Sequence, residues 1–451
     1  MFDILIVILA VIFVLGIAIN IHEFGHFAVA KLFGMRVEAY SFFGLGPRIW
    51  GKKIGHTDYR ISAIPLGAYV KLYGDEATGA LEGGESKGEV VPDSELYELR
   101  PRWQKFLVMV GGPFMNIMLA LAIPFAGGLI YGVPATPSPV VNSIKPGGAA
   151  ELAGIKVGDR IVGFDGVENP SWERIRNDSL ISPEMEKPIT VERNGQRTNL
   201  TIKPTREDLK GNSVGSLDFA PAEPVILSPT PDLPAAQAGF QRGDKAISVN
   251  GETVGSVTNF QELIQKHKEN PIKVVVVRNN ETKEITVQPK IGEDGKALLG
   301  TALSNQSSDR EKASVSQSAA FAVNTNLEII RLTGRVFGQL FAGERSVKDA
   351  GVAGPIGIVQ IISQVVTDQG FIGLVSILAL ISLNLGVFNL LPIPMLDGGQ
   401  IAVLAIEGFL ALFGLTLSMA IKEKIQLAGL AIILLLMVTV IFFDVSRLIG
   451  K

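Results

Sequence analysis

The amino-acid sequence predicts a polytopic α-helical membrane protein, with four transmembrane helices, membrane-associated β-hairpins and two small α+β domains outside the membrane. Three observations support this fold class. Hydrophobic residues make up 47% of the 451 residues and charged residues 19%, a balance that is shifted toward membrane proteins. Several apolar runs approach the roughly 20 residues that a helix needs to cross a bilayer. A polar segment between the second and third runs contains an internal repeat.

The charge balance and the absence of cysteine exclude several classes of function. The formal net charge is −3 at pH 7, so the composition does not point to nucleic acid as a partner. The chain has no cysteine, which excludes disulfides, cysteine-based zinc sites and thiol catalysis. Its four histidines are residues 22, 26, 56 and 267. A site built on imidazole groups therefore has few candidate residues.

Four apolar segments are predicted to cross the membrane. The first is uncharged from Ile4 to Ile21; a signal peptide is the alternative, but the basic start and the cleavage site are missing. The stretch 401–425 contains Glu407 and two glycines and is predicted to be an interfacial or cytoplasmic helix. Residues 313–370 are predicted to form amphipathic helices outside the membrane. The four predicted transmembrane segments are residues 1–33, 103–134, 371–400 and 426–449.

The loop between the first two segments is predicted to lie in the cytoplasm. Residues 34–102 are rich in lysine and arginine, and short loops of this kind stay on the cytoplasmic side. Val37–Gly46 and Asp58–Leu72 mix aromatic and β-branched residues between turn signals, which predicts hairpins beside the membrane helices. Residues 74–95 are rich in glycine and glutamate and predict a mobile loop.

The outer segment contains two copies of one pattern, separated by a constant offset (239 − 154 = 85). The repeated positions are Pro146, Ala150, Ala153, Gly154, Gly158, Asp159 and Gly166, matched by Pro231, Ala235, Ala238, Gly239, Gly243, Asp244 and Gly251. Each copy predicts a short helix, a tight turn and a strand that ends in a hairpin signal. The pattern resembles the PDZ domain, which binds an extended peptide or a chain end. Two PDZ domains are therefore expected, at 137–221 and 222–308; packing modules without a ligand are the alternative.

The chemistry of the chain is predicted to centre on His22-Glu23-x-x-His26, at the end of the first apolar segment. Residues four apart on a helix lie on one face, so the two imidazoles can hold a zinc ion and Glu23 can activate water. Catalytic zinc takes three protein ligands. The candidate third ligand is Asp397, which follows the third apolar segment, because a carboxylate there is costly unless it binds a cation. An ordinary loop aspartate is the alternative.

The combination of His22, His26 and Asp397 resembles the signature of the site-2 protease family, whose members are intramembrane zinc metalloproteases. This resemblance implies Zn²⁺ as the cofactor, these three residues as its ligands and Glu23 as the general base. One departure is Gln400, where many relatives are expected to have histidine. Further motifs carry the resemblance along nearly the whole chain: Phe42-Phe43-Gly44-Leu45-Gly46, Ile64-Pro65-Leu66-Gly67-Ala68-Tyr69-Val70-Lys71, Gly112-Pro113-x-x-Asn116 and Gly354-Pro355-Ile356-Gly357.

Several residues are candidates for substrate binding. Asn389 can grip a substrate backbone or stabilise an oxyanion, or it can simply bond to a neighbouring helix; Asn116 has the same two interpretations. The resemblance implies that the membrane-edge hairpins pair with an unwound substrate, although a plug that shields zinc from water is an alternative role. The candidate contact residues there are Phe43, Gly44, Gly67 and Tyr69.

The resemblance implies a multi-pass protease of the bacterial inner membrane, with its active site toward the cytoplasm and its PDZ domains outside. Its implied substrates are single-pass membrane proteins, such as anti-sigma factors and remnant signal peptides. Peptides or chain ends at the PDZ domains and the lipid bilayer are further expected partners; nucleic acid is not. Two other functions are considered. A metal transporter would need several metal-binding positions along a path, and an intact Glu23 argues against a PDZ adaptor with a vestigial site.

Overall fold

The computed structural model describes residues 2–64, 67–74, 91–134, 139–209, 212–221, 225–268, 270–278, 281–292, 295–304, 310–346 and 353–449. These residues form two compact units. The first unit comprises the described residues within 1–130, 314–334 and 352–451, and the second those within 131–313 and 335–351. Most of the predicted mobile loop at 74–95 lies outside the described residues.

Long apolar helices dominate the first unit. Among the described residues, four helices are long and apolar enough to cross a membrane, at Leu5–Leu32, Arg102–Tyr131, Pro355–Asn389 and Lys424–Ser446. The predicted number of such helices is therefore confirmed. Within the described residues, the α-helices are α1 (Phe2–Leu32), α2 (Arg102–Tyr131), α3 (Ala149–Leu152), α4 (Trp172–Leu180), α5 (Pro234–Gln237), α6 (Val257–Lys266), α7 (Val315–Phe341), α8 (Pro355–Asn389), α9 (Asp397–Ala411) and α10 (Met419–Ile449), with a 3₁₀ turn at Asp93–Glu95.

Helices α1 and α8 pack against each other along a stripe of small side chains. Ala10, Val14 and Ala18 recur every four residues on α1 and are almost fully buried. They form a hydrophobic cluster with Ile362 and Leu374 of α8. Small residues on one helix face let two backbones approach closely. This contact anchors the histidine-bearing helix against the helix that precedes Asp397.

The structure corrects two predicted helix boundaries. Helix α8 begins at Pro355 and is broken at Gly370, where φ is 62° and ψ is −146°, values that are not helical. The boundary predicted between residues 370 and 371 falls at this break. The predicted segment 371–400 is two helices, because two prolines separate α8 from α9. The predicted segment 401–425 overlaps the start of α10 at Met419.

Four strands between residues 37 and 72 form a mixed sheet, where the sequence predicts hairpins. The strands are β1 (Val37–Phe43), β2 (Leu45–Ile54), β3 (Thr57–Ile64) and β4 (Tyr69–Leu72). Strands β2 and β3 form an antiparallel hairpin, and β1 pairs with β3 in parallel and with β4 in antiparallel orientation. Strand β4 lies at the edge of the sheet, in the order β2-β3-β1-β4. Parallel pairing joins segments without a connecting tight turn, so it leaves no short-range signal in the sequence.

The second unit contains two hydrophobic cores, one within 137–221 and one within 222–308. Equivalent residues of the repeat occupy both cores, for example Ile175 in the first copy and Phe260 in the second. The described strands of this unit are β5 (Val133–Pro134), β6 (Val141–Ile144), β7 (Arg160–Phe164), β8 (Val167–Glu168), β9 (Lys187–Arg193), β10 (Gln196–Ile202), β11 (Thr205–Leu209), β12 (Asn212–Ser216), β13 (Phe219–Pro221), β14 (Val225–Pro229), β15 (Asp244–Val249), β16 (Glu252–Thr253), β17 (Ile272–Arg278), β18 (Glu281–Val287), β19 (Lys290–Ile291), β20 (Ala297–Leu298), β21 (Thr301–Ser304) and β22 (Arg310–Glu311). The main sheets have the orders β10-β9-β7-β8 and β18-β17-β15-β14-β21.

Both copies of the repeat contain an arginine clamp that the sequence analysis missed. The Arg193 guanidinium donates to both carboxylate oxygens of Asp159 at 2.7 Å, and Arg278 donates to those of Asp244 at 2.6 Å. Each guanidinium also donates to the carbonyl of the repeated glycine that follows the short helix. The two arginines share the offset of the other repeated positions (278 − 193 = 85), which is the signal that could have identified them.

Candidate metal centre

His22 and His26 lie one helical turn apart on the same face of α1. Their rings meet edge to face with centroids 4.8 Å apart, and their Nε2 atoms are 3.2 Å apart. His22 is buried, with 6% of its surface exposed. The helix therefore presents two imidazole nitrogens to a single point, as the spacing of the motif predicts.

Asp397 reaches the two histidines from the first residue of α9. One carboxylate oxygen lies 3.1 Å from Nε2 of His22, and the other lies 3.5 Å from Nε2 of His26. The adjacent Gly398 is essential to this placement, because a Cβ atom there would lie 2.3 Å from the carbonyl oxygen of Leu390. A residue without a side chain lets α9 begin directly against the end of α8, which brings the carboxylate to the histidines.

The backbone of helix α2 packs directly against the two imidazole rings. Glycines allow this approach: a Cβ atom at Gly25 of α1 would lie 2.1 Å from the carbonyl oxygen of Gly111, and one at Gly112 would lie 2.4 Å from Nε2 of His26. The carbonyl oxygen of Val108 in α2 accepts a hydrogen bond of 2.7 Å from Nδ1 of His26. This bond leaves Nε2 of His26 as the nitrogen that can bind a metal.

The three side chains offer the donor atoms of a zinc site. Ligand atoms at about 2.0–2.2 Å from zinc lie roughly 3.3–3.6 Å apart in a tetrahedral site. The two Nε2 atoms are 3.2 Å apart. They face different oxygens of Asp397, at 3.1 Å from His22 and 3.5 Å from His26, and one ligand atom from each of the three residues lies within 4.8 Å of the others. The donor set of two imidazoles and one carboxylate is one that catalytic zinc uses. Within the described residues, His22, His26 and Asp397 are the group identified as able to hold a metal ion.

The three residues open into a cavity of about 240 Å³. Glu23 lines the same cavity, as the motif predicts for a general base, and so does Gln400, the position that departs from the family pattern. Strand β4 contributes Val70 and Leu72, so the edge of the sheet borders the space beside the histidines. The cavity therefore combines the three candidate metal ligands, the carboxylate of Glu23 and a strand edge.

The four predicted substrate-contact residues of the sheet do not line this cavity. Side chains alternate along a strand, so Tyr69 points away from the side of β4 that carries Val70, and its hydroxyl is paired with the Arg60 guanidinium. The amide of Gly44 donates to the carbonyl of Gly67 at 2.8 Å, and this bond is internal to the sheet. Phe43 is likewise absent from the cavity lining. The sheet therefore borders the cavity, while these four residues lie outside its lining, and their contact with a substrate stays a prediction.

Two asparagines contact the ring of His22 from opposite sides. The side-chain nitrogen of Asn389, at the end of α8, lies 3.2 Å from Nε2, and that of Asn116 in α2 lies 3.3 Å from Nδ1. The sequence leaves both residues open between a site role and helix packing, and the structure places both beside His22. The remaining histidines lie elsewhere: His56 is exposed, and His267 of the second unit contacts Glu252.

Comparison with known proteins identifies relatives of the whole chain. The model of peptidase family M50 matches residues 10–436. A protein of Vibrio cholerae named as a zinc metalloprotease is 32% identical over 99% of this chain and 100% of its own length. The regulator of sigma E protease of Salmonella typhi is 31% identical over 97% of this chain and 98% of its own. The regulator of sigma-E protease of Escherichia coli K12 is 31% identical over 96% and 97%, respectively.

One solved structure that matches covers a smaller part of the chain. The PDZ domain of an SdrC-like protein from Listeria monocytogenes covers 18% of this chain and 87% of its own, with 19% identity and a TM-score of 0.17. This likeness is too weak to assign the second unit. The full-length matches, in contrast, confirm the resemblance to site-2 proteases, together with the predictions of a metallopeptidase and of Zn²⁺ as its cofactor. By these matches, the chain belongs to peptidase family M50.

Proposed function

We propose that this M50 metallopeptidase cleaves peptide bonds within the transmembrane segments of single-pass membrane proteins. The observation that carries the proposal is the convergence of His22, His26 and Asp397 on one point, with Glu23 in the same cavity. His22 and His26 belong to a helix long and apolar enough to cross a membrane, and Asp397 follows another such helix. A peptidase site at this location acts on chain segments that share the apolar environment.

The proposed mechanism assigns one task to each side chain of the cavity. His22, His26 and Asp397 hold zinc, which when bound supplies a Lewis acid that polarises the scissile carbonyl. Glu23 takes the proton of the attacking water and later delivers it to the leaving amine. Asn389 lines the cavity beside His22, where its amide N–H can donate to the carbonyl oxygen on which negative charge develops.

Strand β4 is the proposed support for the substrate. A transmembrane helix bonds its carbonyls internally, so it must unwind before a peptide bond can be attacked. An unwound segment can add to the edge of a sheet through main-chain hydrogen bonds. Strand β4 is an edge strand, and its residues Val70 and Leu72 border the cavity. An extended substrate beside β4 would therefore lie across the proposed zinc site.

The proposed location is the bacterial inner membrane, with the cavity toward the cytoplasm. The four apolar helices and the basic residues of the first loop support this orientation. The names of the relatives from Salmonella typhi and Escherichia coli, which describe regulation of sigma E, support an anti-sigma factor as a substrate; remnant signal peptides are a second candidate.

We assign the two copies of the repeat, outside the membrane, as PDZ domains. The second copy has a cavity of about 1130 Å³ beside α6, lined by Phe260 and Ile264 and by Leu299, Gly300 and Thr301 next to strand β21. A groove between a helix and an edge strand suits an extended peptide or a chain end, and these are the proposed ligands of the second unit.

The substitution Glu23→Gln tests the proposed mechanism. The variant keeps the shape of the side chain but cannot accept a proton, so cleavage of a purified single-pass substrate in detergent should fall by at least about 100-fold, the lower range of general acid–base effects. Its zinc content should equal that of the wild type, because Glu23 is not a ligand. Cleavage by Glu23→Gln at the wild-type rate would refute the role of this residue as the base.

A further inference from the structure

A metal held by the Nε2 atoms of His22 and His26 requires a hydrogen on the other nitrogen of each ring. A neutral imidazole carries one N–H group, and the nitrogen that binds a metal must be the unprotonated one. Each Nδ1 atom therefore needs a hydrogen-bond acceptor if the histidine is to be held ready for the metal. Such partners of metal-binding histidines orient the ring and select its tautomer. This reasoning rests on the proposed function.

His26 has an acceptor of this kind, a backbone carbonyl group, which cannot act as a donor. The carbonyl oxygen of Val108 lies 2.7 Å from Nδ1, and a carbonyl oxygen accepts hydrogen bonds but never donates them. The bond fixes the hydrogen on Nδ1 of His26 and leaves Nε2 directed at Asp397, 3.5 Å away. The backbone of α2 thus sets the tautomer of this histidine.

The corresponding group at His22 is the side-chain amide of Asn116, also in α2. Asn116 is fully buried, and its amide lies 3.3 Å from Nδ1 of His22. Its oxygen, Oδ1, has no hydrogen-bond partner among the described residues. The two ends of an amide group have nearly the same size, so a rotation of 180° about χ2 places Oδ1 against Nδ1 without changing the packing.

We propose that Asn116 is a positioning residue of the metal centre, whose Oδ1 accepts a hydrogen bond from Nδ1–H of His22 and thereby keeps Nε2 free for zinc. Asn116 and Val108 then perform the same task for the two histidines, eight residues apart on one helix (116 − 108 = 8), which is roughly two turns. The side chain of Asn116 acts through His22 and does not touch the substrate.

A purely structural role for Asn116 can be separated from this one. The hydroxyl of Ser382 in α8 donates to the backbone carbonyl of Asn116 at 3.0 Å, so α2 and α8 are joined at this residue whatever its side chain is. Ser382 is fully buried like Asn116. The variant Ser382→Ala therefore perturbs the same helix contact but leaves the amide and His22 in place, and it serves as the matched control.

The test is the zinc affinity of the full-length protein in detergent, measured by competition with a chelator. Asn116→Leu replaces the acceptor by an apolar group of similar size and should weaken zinc binding about 10–100-fold. Asn116→Asp retains an acceptor at the same position and should bind zinc within about threefold of the wild type, as should Ser382→Ala. A folded Asn116→Leu protein with wild-type affinity would overturn the proposal, as would an Asn116→Asp protein that binds as weakly as a folded Asn116→Leu.

A second measurement decides the question even if Asn116→Leu does not fold. ¹⁵N NMR of zinc-free protein labelled at its histidines distinguishes Nδ1–H from Nε2–H, and the variant His22→Ala identifies the signal. The proposal predicts Nδ1–H for His22 in the wild type at a pH where the ring is neutral; Nε2–H would overturn it. Failure of the wild type to bind zinc at all would instead contradict the proposed function, so the two ideas fail in different ways.

Discussion

Substitution of Gly112 by alanine should destroy the metal site while leaving the fold intact. Gly112 lies in the interior of α2, where its Cα faces the imidazoles of α1. A Cβ atom at this position would lie 2.4 Å from Nε2 of His26 and 2.9 Å from Cε1 of His22. The atoms it meets belong to side chains that can rotate, so the helices can keep their positions while both metal-binding rings are pushed aside.

The size of the effect follows from these distances. Ordinary contacts begin near 3.4 Å, so the His26 ring must move by about 1 Å (3.4 − 2.4 = 1.0). Metal–ligand distances tolerate only about 0.2 Å. Loss of a partner that merely orients a ligand weakens metal binding by about 10–100-fold, and displacement of the ligand itself should cost at least about 100-fold. Alanine favours a helix interior over glycine by about 1 kcal/mol, so the helix should not be destabilised.

Zinc affinity and thermal unfolding of purified Gly112→Ala test this prediction. The matched control is Gly127→Ala in the same helix, because a Cβ atom at Gly127 has nothing within 4 Å. Gly127→Ala should bind zinc like the wild type and unfold at an equal or higher temperature. A Gly112→Ala protein that binds zinc with wild-type affinity would refute the packing of α2 against the histidines.

Two further predictions concern the stability of the two units. Asp444 of α10 accepts hydrogen bonds from the backbone amides of Gly354 and Gly357 at the start of α8; Asp444→Ala should lower the free energy of unfolding by about 1–2 kcal/mol, and an unchanged melting temperature would contradict this. In the second unit, burial raises the pKa of Asp159, but hydrogen bonds from Arg193 and a backbone amide outweigh it and hold the pKa below its usual value. The Asp159–Arg193 ion pair therefore stabilises the folded protein above about pH 4. Arg193→Gln should lower the melting temperature at pH 7, and lower it less at pH 3. A decrease in melting temperature that is the same at both pH values would argue against the ion pair.

The metal-binding group could be predicted because the sequence restricts the choices so strongly. The spacing of His22 and His26 places them on one helix face, and the remaining histidines lie in polar surroundings. A carboxylate next to an apolar helix is costly unless it binds a cation, and this reasoning points to Asp397 as the third ligand. The structure brings the three residues within ligand distance of one another, although they come from segments far apart in the chain (397 − 26 = 371).

The surroundings of the metal group depend on contacts that leave no signal in the sequence. Every residue has a backbone carbonyl, so nothing marks that of Val108 as the partner of His26. The amide of Asn116 looks the same in a sequence whether it faces a histidine or a neighbouring helix. The register of a strand is equally hidden, since a shift of one residue exchanges the two faces. The sequence offers Tyr69 as a candidate contact residue, and the structure places its neighbour Val70 in the lining of the cavity.

Helix ends could be predicted where the break lies in the local sequence, and not where it depends on a distant residue. Gly370 interrupts the hydrophobic run, and the backbone is non-helical there, with φ of 62° and ψ of −146°. The helix before this break starts at Gly354 and Pro355, where the carboxylate of Asp444 caps free backbone amides. That cap comes from a helix about 90 residues later (444 − 354 = 90), so no local pattern could reveal it.

Zinc content is the measurement that tests the central claim most directly, because the claim is that His22, His26 and Asp397 form one metal site. Purified wild-type protein should contain one zinc ion per chain, and His22→Ala and Asp397→Asn should each lose it. His56→Ala, which removes an exposed histidine of the same unit, should retain one zinc ion. An Asp397→Asn protein that still holds zinc with wild-type affinity would contradict the account.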